Sequence, residues 1–104
     1  METIKKSELL AKLGEFESVS NTESRNGCGS APNQFEILFN KGYVFQSYGA
    51  LVAVKLYADK RWYFSEFYHD YSRTTSGYLT RFCGYNCATR RKMLANGEAV
   101  AIID

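Results

Sequence analysis

From Gln34 to Tyr68 the chain keeps the two-residue period of β-strands, interrupted only by short turns, and this run constrains the fold more than any other feature. Phe35, Ile37 and Phe39 alternate with Glu36 and Leu38 in the first segment, Gln34–Asn40. Lys41-Gly42 turns the chain into Tyr43–Tyr48, and Gly49-Ala50 leads into Leu51–Tyr57, with Val52, Val54 and Leu56 expected on one face. Ala58-Asp59-Lys60-Arg61 makes another turn before Trp62–Tyr68. Loops this short make successive strands antiparallel neighbours. The eight Tyr, seven Phe and one Trp reinforce the reading, because aromatic side chains suit a pleated, half-buried surface.

The flanks read differently. Ser7–Gly14 predicts a short helix capped by Ser7, with Leu9, Leu10 and Leu13 on its apolar face, followed by an alternating Glu15–Ser20 strand. Asn21–Asn33 is polar, contains Pro32 and holds Cys28 between Gly27 and Gly29, so it reads as one long loop. After Tyr68 the period becomes helical. Ser72–Thr75 offers N-caps for a helix bearing Leu79, Phe82 and Cys83, and Gly84 interrupts it. Asn86 caps a second helix, Cys87–Ala95, with Arg90-Arg91-Lys92 expected outside and Met93 and Leu94 inside. Asn96-Gly97 stops it, and Ala99–Ile103 closes the chain as an apolar strand. The expected fold is α+β: a twisted antiparallel sheet of four to six strands with short helices packed on one face.

A length of 104 residues suits a single domain, 1–104, able to bury one core without staples. The net charge of +2 is too small to imply nucleic acid. Residues 1–52 hold five basic and six acidic side chains and residues 53–104 hold eight and five, a mild bias that suits a solvated surface. No apolar run approaches the roughly 20 residues of a membrane span, and Met1–Lys6 leads into an amphipathic segment, not a signal-peptide core. A cytoplasmic protein is expected, and an odd count of three cysteines there argues against a disulfide framework.

Cys83-Gly84-Tyr85-Asn86-Cys87 is a C-x3-C unit within the spacing range of structural zinc sites. Cys28 and His69, the sole histidine, complete a possible set of four ligands, and sulfur-rich tetrahedral ligation selects zinc. The plainer reading makes Cys83 a small core residue beside Leu79 and Phe82. A Cys/His nucleophilic pair would need His69 beside a cysteine together with an orienting group, and nothing marks one. With no phosphate loop and no H-E-x-x-H or G-x-S-x-G motif, an enzyme is not expected. Tyr43, Phe45, Tyr57, Trp62, Phe64 and Tyr68, with Lys55, Lys60, Arg61, Arg73 and Arg81, form the alternative: a stacking face for single-stranded nucleic acid.

Phe45-Gln46-Ser47-Tyr48, then Val52-Ala53, Tyr71-Ser72-x-Thr74-Thr75, Tyr78-Leu79-x-x-Phe82 and Thr89–Leu94 ending at Gly97-Glu98 stand in a distinctive order. Over residues 43–104 the chain resembles a family of small uncharacterised proteins encoded by phages and mobile elements of Gram-positive bacteria. That family is typically strand-rich with terminal helices, and Cys83 and Cys87 depart from its pattern. The resemblance implies no reaction. By analogy it implies a cytosolic protein that binds and inhibits a host defence component, as anti-CRISPR inhibitors block an RNA-guided CRISPR effector nuclease. Tyr85, Arg90 and Arg91 are the expected partner contacts, since aromatic and Arg side chains are enriched at hot spots; a solvated helix face is the plainer reading of each.

Overall fold

A computed structural model describes residues 1–24 and 29–104. In chain order the elements are β1 (Thr3–Lys5), α1 (Lys6–Ala11), β2 (Phe16–Glu23), β3 (Ser30–Phe39), β4 (Gly42–Ser47), β5 (Ala50–Leu56), β6 (Trp62–Ser65), α2 (Arg73–Cys83), α3 (Cys87–Asn96) and β7 (Ala99–Ile103). All seven strands join one sheet in the order β1-β7-β6-β5-β4-β3-β2.

The α+β class is observed, but the sheet is larger than the expected four to six strands and is mixed, not antiparallel. Strands β2 to β6 form the antiparallel meander that their short turns dictate. The α2–α3 pair then carries the chain across the sheet, so β7 returns parallel to β6, and β1 adds parallel to β7. Nothing local marks Thr3–Lys5 as a strand; its partners come from the far end of the chain.

The long loop is also shorter than expected. Strands β2 and β3 extend through Asn21–Glu23 and Ser30–Asn33, because cross-strand pairing outweighs the poor strand propensity of these residues. Pro32 is tolerated between the Glu23–Ser30 and Asn21–Phe35 pairs, where the ladder is irregular.

Helices cover both faces, which corrects the one-face expectation. Leu9 of α1, with Leu13 after it, packs with Val44, Val54, Leu56, Tyr63, Val100 and Ile102. Tyr78 and Leu79 of α2 and Met93 and Leu94 of α3 pack on the opposite face with Phe45, Ala53, Trp62 and Phe64. A bulge in the β4–β5 ladder between Phe45 and Gln46 shifts the period, so Val52 belongs to the α2–α3 core and not with Val54 and Leu56. Phe82 is the centre of an aromatic group, with Tyr43, Phe45 and Trp62 at ring distances of 5.3–5.8 Å.

The helix ends follow local chemistry. Ser72 Oγ accepts from the Thr75 N–H, and Asn86 Oδ1 accepts from the Thr89 N–H, each satisfying an orphan donor of the first turn. Gly84 and Gly97 end α2 and α3 in the left-handed conformation that costs other residues steric strain. At α1 the cap position is Lys5 without a side-chain bond, so Ser7 lies inside the helix instead of capping it.

Candidate functional site: a hydroxyl-lined cleft beside a buried arginine

Two features dominate the α2 side of the molecule. The first is Arg90, fully buried although its neighbours Arg91 and Lys92 are exposed. All five of its N–H donors are used. Nε donates to His69 Nδ1 (3.3 Å), Nη1 to Thr80 Oγ1 (2.9 Å) and the Tyr85 carbonyl (2.8 Å), and Nη2 to the His69 carbonyl (2.9 Å) and Ser76 Oγ (2.7 Å). One guanidinium thus ties α3 to α2, to the α2–α3 junction and to the loop after β6. The arginine expected at a partner surface is an internal tie, because neutral oxygens supply the solvation it loses on burial.

That arrangement sets the chemistry of His69. The histidine is buried, and Nδ1 must offer a lone pair to Arg90, which leaves the proton on Nε2. Burial lowers its pKa; Asp70 opposes the shift, and Arg90 and Arg91 add to it. Asp70 lies in an ion pair with Arg91 at 2.8 Å, and this bond holds its carboxyl below the usual range. Cys83 donates to the Tyr85 carbonyl at 3.5 Å, and burial raises its thiol pKa.

Of the four residues expected to bind zinc, Cys28 lies outside the described residues. Among those described, the ligand atoms of His69, Asp70 and Cys87 fall within 4.8 Å of one another. Cys83 is not in that group, and Asp70, which sequence reasoning did not include, takes its place. Ligation through His69 Nε2 would require the proton that the Arg90 bond places there to leave. Of the expected partner contacts, Arg91 is exposed but paired with Asp70, and Tyr85 stands at the helix junction with its carbonyl engaged by Arg90 and Cys83. Of the six aromatics named for a stacking face, Phe45, Trp62 and Phe64 are buried under α2 and α3, Tyr43 is partly buried, and Tyr57 and Tyr68 are exposed; the Lys55 ammonium lies 5.1 Å from the Trp62 ring centre.

The second feature is a cleft of about 510 Å³ where the β4–β5 turn faces the start of α2. Ser47 Oγ and Thr75 Oγ1 meet across it at 3.0 Å. Phe45–Tyr48 and Tyr71–Thr75, two of the stretches on which the family resemblance rests, therefore converge on one place. Tyr48, Tyr68 and Tyr71 line the opening, Ser65, Ser72 and Thr74 add hydroxyls, and Lys6 and Asp104 add one charge of each sign. Tyr48 and Gly49 stand at φ +50° and +80°, the two left-handed positions that the two-residue turn between β4 and β5 requires.

Beside the cleft, Phe67, Tyr68 and Tyr71 form an exposed aromatic patch with ring distances of 4.8, 5.2 and 5.8 Å. Sequence reasoning missed it by extending the last meander strand through Tyr68, whereas β6 ends at Ser65. The signal was present: four aromatics in Phe67–Tyr71 and nearby Phe64 exceed what one face of a strand can bury.

The model of a family of unknown function (DUF8033) matches residues 11–97. No curated protein and no solved structure matches the chain. Among the described residues, no helix is long and apolar enough to cross a membrane.

Proposed function

Starting from the premise that the chain belongs to the family of unknown function DUF8033, we propose that it acts by binding a partner protein and not by catalysis. The observation that carries this reading is the exposed Phe67–Tyr68–Tyr71 patch. Phe67 and Tyr71 are 62% and 66% exposed, so these rings hold apolar surface in water that their own fold leaves uncovered. Clustered aromatic rings are the side chains most enriched at protein–protein hot spots. The state of His69 supports a binding role, because the chain's sole histidine is buried and its Nδ1 is committed to Arg90.

The resemblance to phage and mobile-element proteins makes a host defence protein the partner class to test first, with an RNA-guided CRISPR effector nuclease foremost. Such an inhibitor would work by occupying a surface, so its action would be stoichiometric. The test is direct binding of the purified chain to candidate effectors, with Phe67→Ala as the control. Phe67 is exposed, so its truncation leaves the fold intact. The expected result is a saturable 1:1 complex that survives high salt and weakens at least tenfold with Phe67→Ala. Binding that instead collapses steeply with salt, together with retention of single-stranded DNA or RNA, would move the reading to nucleic acid.

A further inference from the structure

We infer that the cleft between the β4–β5 turn and the start of α2 is a nucleotide site, taking a flat aromatic base between its tyrosines and a phosphoryl group at its hydroxyl-lined end. The inference does not depend on the partner-binding reading. Its volume of about 510 Å³ lies within the range of small-molecule sites. The lining also has an asymmetry of composition that a nucleotide shares.

Tyr48 and Tyr71 are each more than three-fifths exposed and line the same opening, with Tyr68 beside them. Every base has a π-face, so tyrosine rings at a cleft mouth stack on bases without needing a particular one. The two-residue β4–β5 turn holds Tyr48 at φ +50° and Gly49 at φ +80°, which fixes the Tyr48 ring at the tip of the hairpin.

The inner end is rich in donors. In the Ser47–Thr75 pair one hydroxyl donates to the other, which leaves one O–H to donate elsewhere. Ser65 and Ser72 accept backbone N–H bonds through Oγ, so their own O–H groups remain donors. Thr74, exposed at the rim, adds a hydroxyl, the Arg73 and Thr74 N–H groups of the first helical turn lack intrahelical acceptors, and Lys6 stands at the rim beside Asp104, where β1 runs parallel to β7. A donor-rich end selects an acceptor-rich group, as phosphoryl oxygens are. The Asp104 carboxylate at the rim adds a charged acceptor, suited to an exocyclic amine or a ribose hydroxyl.

A separate observation lies just behind this wall. Gln34 sits directly opposite Ser47 across the β3–β4 ladder, is fully buried, and finds no hydrogen-bond partner for either amide atom among the described residues. A buried amide left unpaired is costly in a folded chain. Gln34 is not itself in the lining, so an occupant would reach this amide only through water ordered beside its ladder partner Ser47.

The test is titration of the full chain, followed by amide NMR shifts, with four probes: AMP, UMP, adenosine and inorganic phosphate. The expected result is saturable binding of AMP and UMP, with the largest shifts at Tyr48, Tyr71, Thr74 and Thr75, and weaker binding of adenosine or phosphate alone. Tyr48→Asn is the informative variant, since asparagine tolerates the left-handed conformation and the fold should be unharmed. It is expected to weaken AMP about tenfold or more while its melting temperature stays at or above that of the parent. Thr74→Val is expected to weaken AMP while leaving adenosine unchanged. The inference fails if neither nucleotide shifts the cleft, if phosphate alone binds as well as AMP, or if Tyr48→Asn binds AMP like the parent.

Discussion

Arg90 Nε donates to Nδ1 of His69 at 3.3 Å in the interior between α2 and α3. The bond joins a permanent cation to a group that can become one, and it holds only while His69 is neutral. Protonated, the imidazole would turn an N–H toward the guanidinium and place two positive charges together.

Stability is therefore expected to fall on acidification. The folded-state pKa of His69 lies below its ordinary 6.5, with burial as the main cause. The unfolded chain binds the proton first, so stability is full above about pH 6.5 and declines as pH drops toward the lowered folded value. Asp70, also lowered, adds a second loss as pH falls below its ordinary 3.8. Urea midpoints measured from pH 8 to pH 4 should show the first decline, and His69→Gln should flatten it.

Replacing Arg90 should be among the most damaging single changes. Arg90→Ala strands two carbonyls, two hydroxyls and an imidazole nitrogen in the interior, at a cost of about 3–5 kcal/mol. Arg90→Lys keeps the charge but replaces a five-donor fork with three donors, so it should recover only part of that stability. By contrast, Arg91→Ala removes only a solvent-exposed ion pair with Asp70 and should lower the melting temperature far less. Thermal melts of the three variants give the comparison.

Zinc is expected to act against this arrangement. His69 reaches a metal only by giving up the Nε2 proton, and two arginine charges stand nearby. Added Zn²⁺ should leave the melting temperature unchanged or lower it, and a chelator should have no effect. A stabilisation by zinc that is lost with Cys87→Ser or Cys83→Ser would reverse this conclusion and restore the thiolate site.

Gln34→Met should stabilise the protein. The substitution keeps length and approximate volume while removing an amide that has no partner among the described residues, a gain of about 1 kcal/mol. Denaturant unfolding with an unchanged m-value would show that the native state is the one affected.

What the residues determined by themselves was local. The alternation from Gln34 onward placed strands β3 to β6, the Ser72–Thr75 run and Asn86 marked where the two helices are capped, and Gly84 and Gly97 marked the stops. Each of these depends on neighbours within a few positions, where side-chain period and capping bonds operate. The tertiary structure decided what depends on distant partners. Thr3–Lys5 becomes a strand only because Ala101–Ile103 lies alongside it, and the helical crossover makes the sheet mixed. A bulge moves Val52 to the other core, which strict alternation could not show. Arg90 read as one of three exposed bases because charged residues rarely lie inside. Its burial is possible only where Ser76, Thr80, Tyr85 and His69, 5 to 21 residues away, converge on one guanidinium. The cleft has the same origin: Ser47 and Thr75, 28 residues apart, meet because α2 starts over the β4–β5 turn.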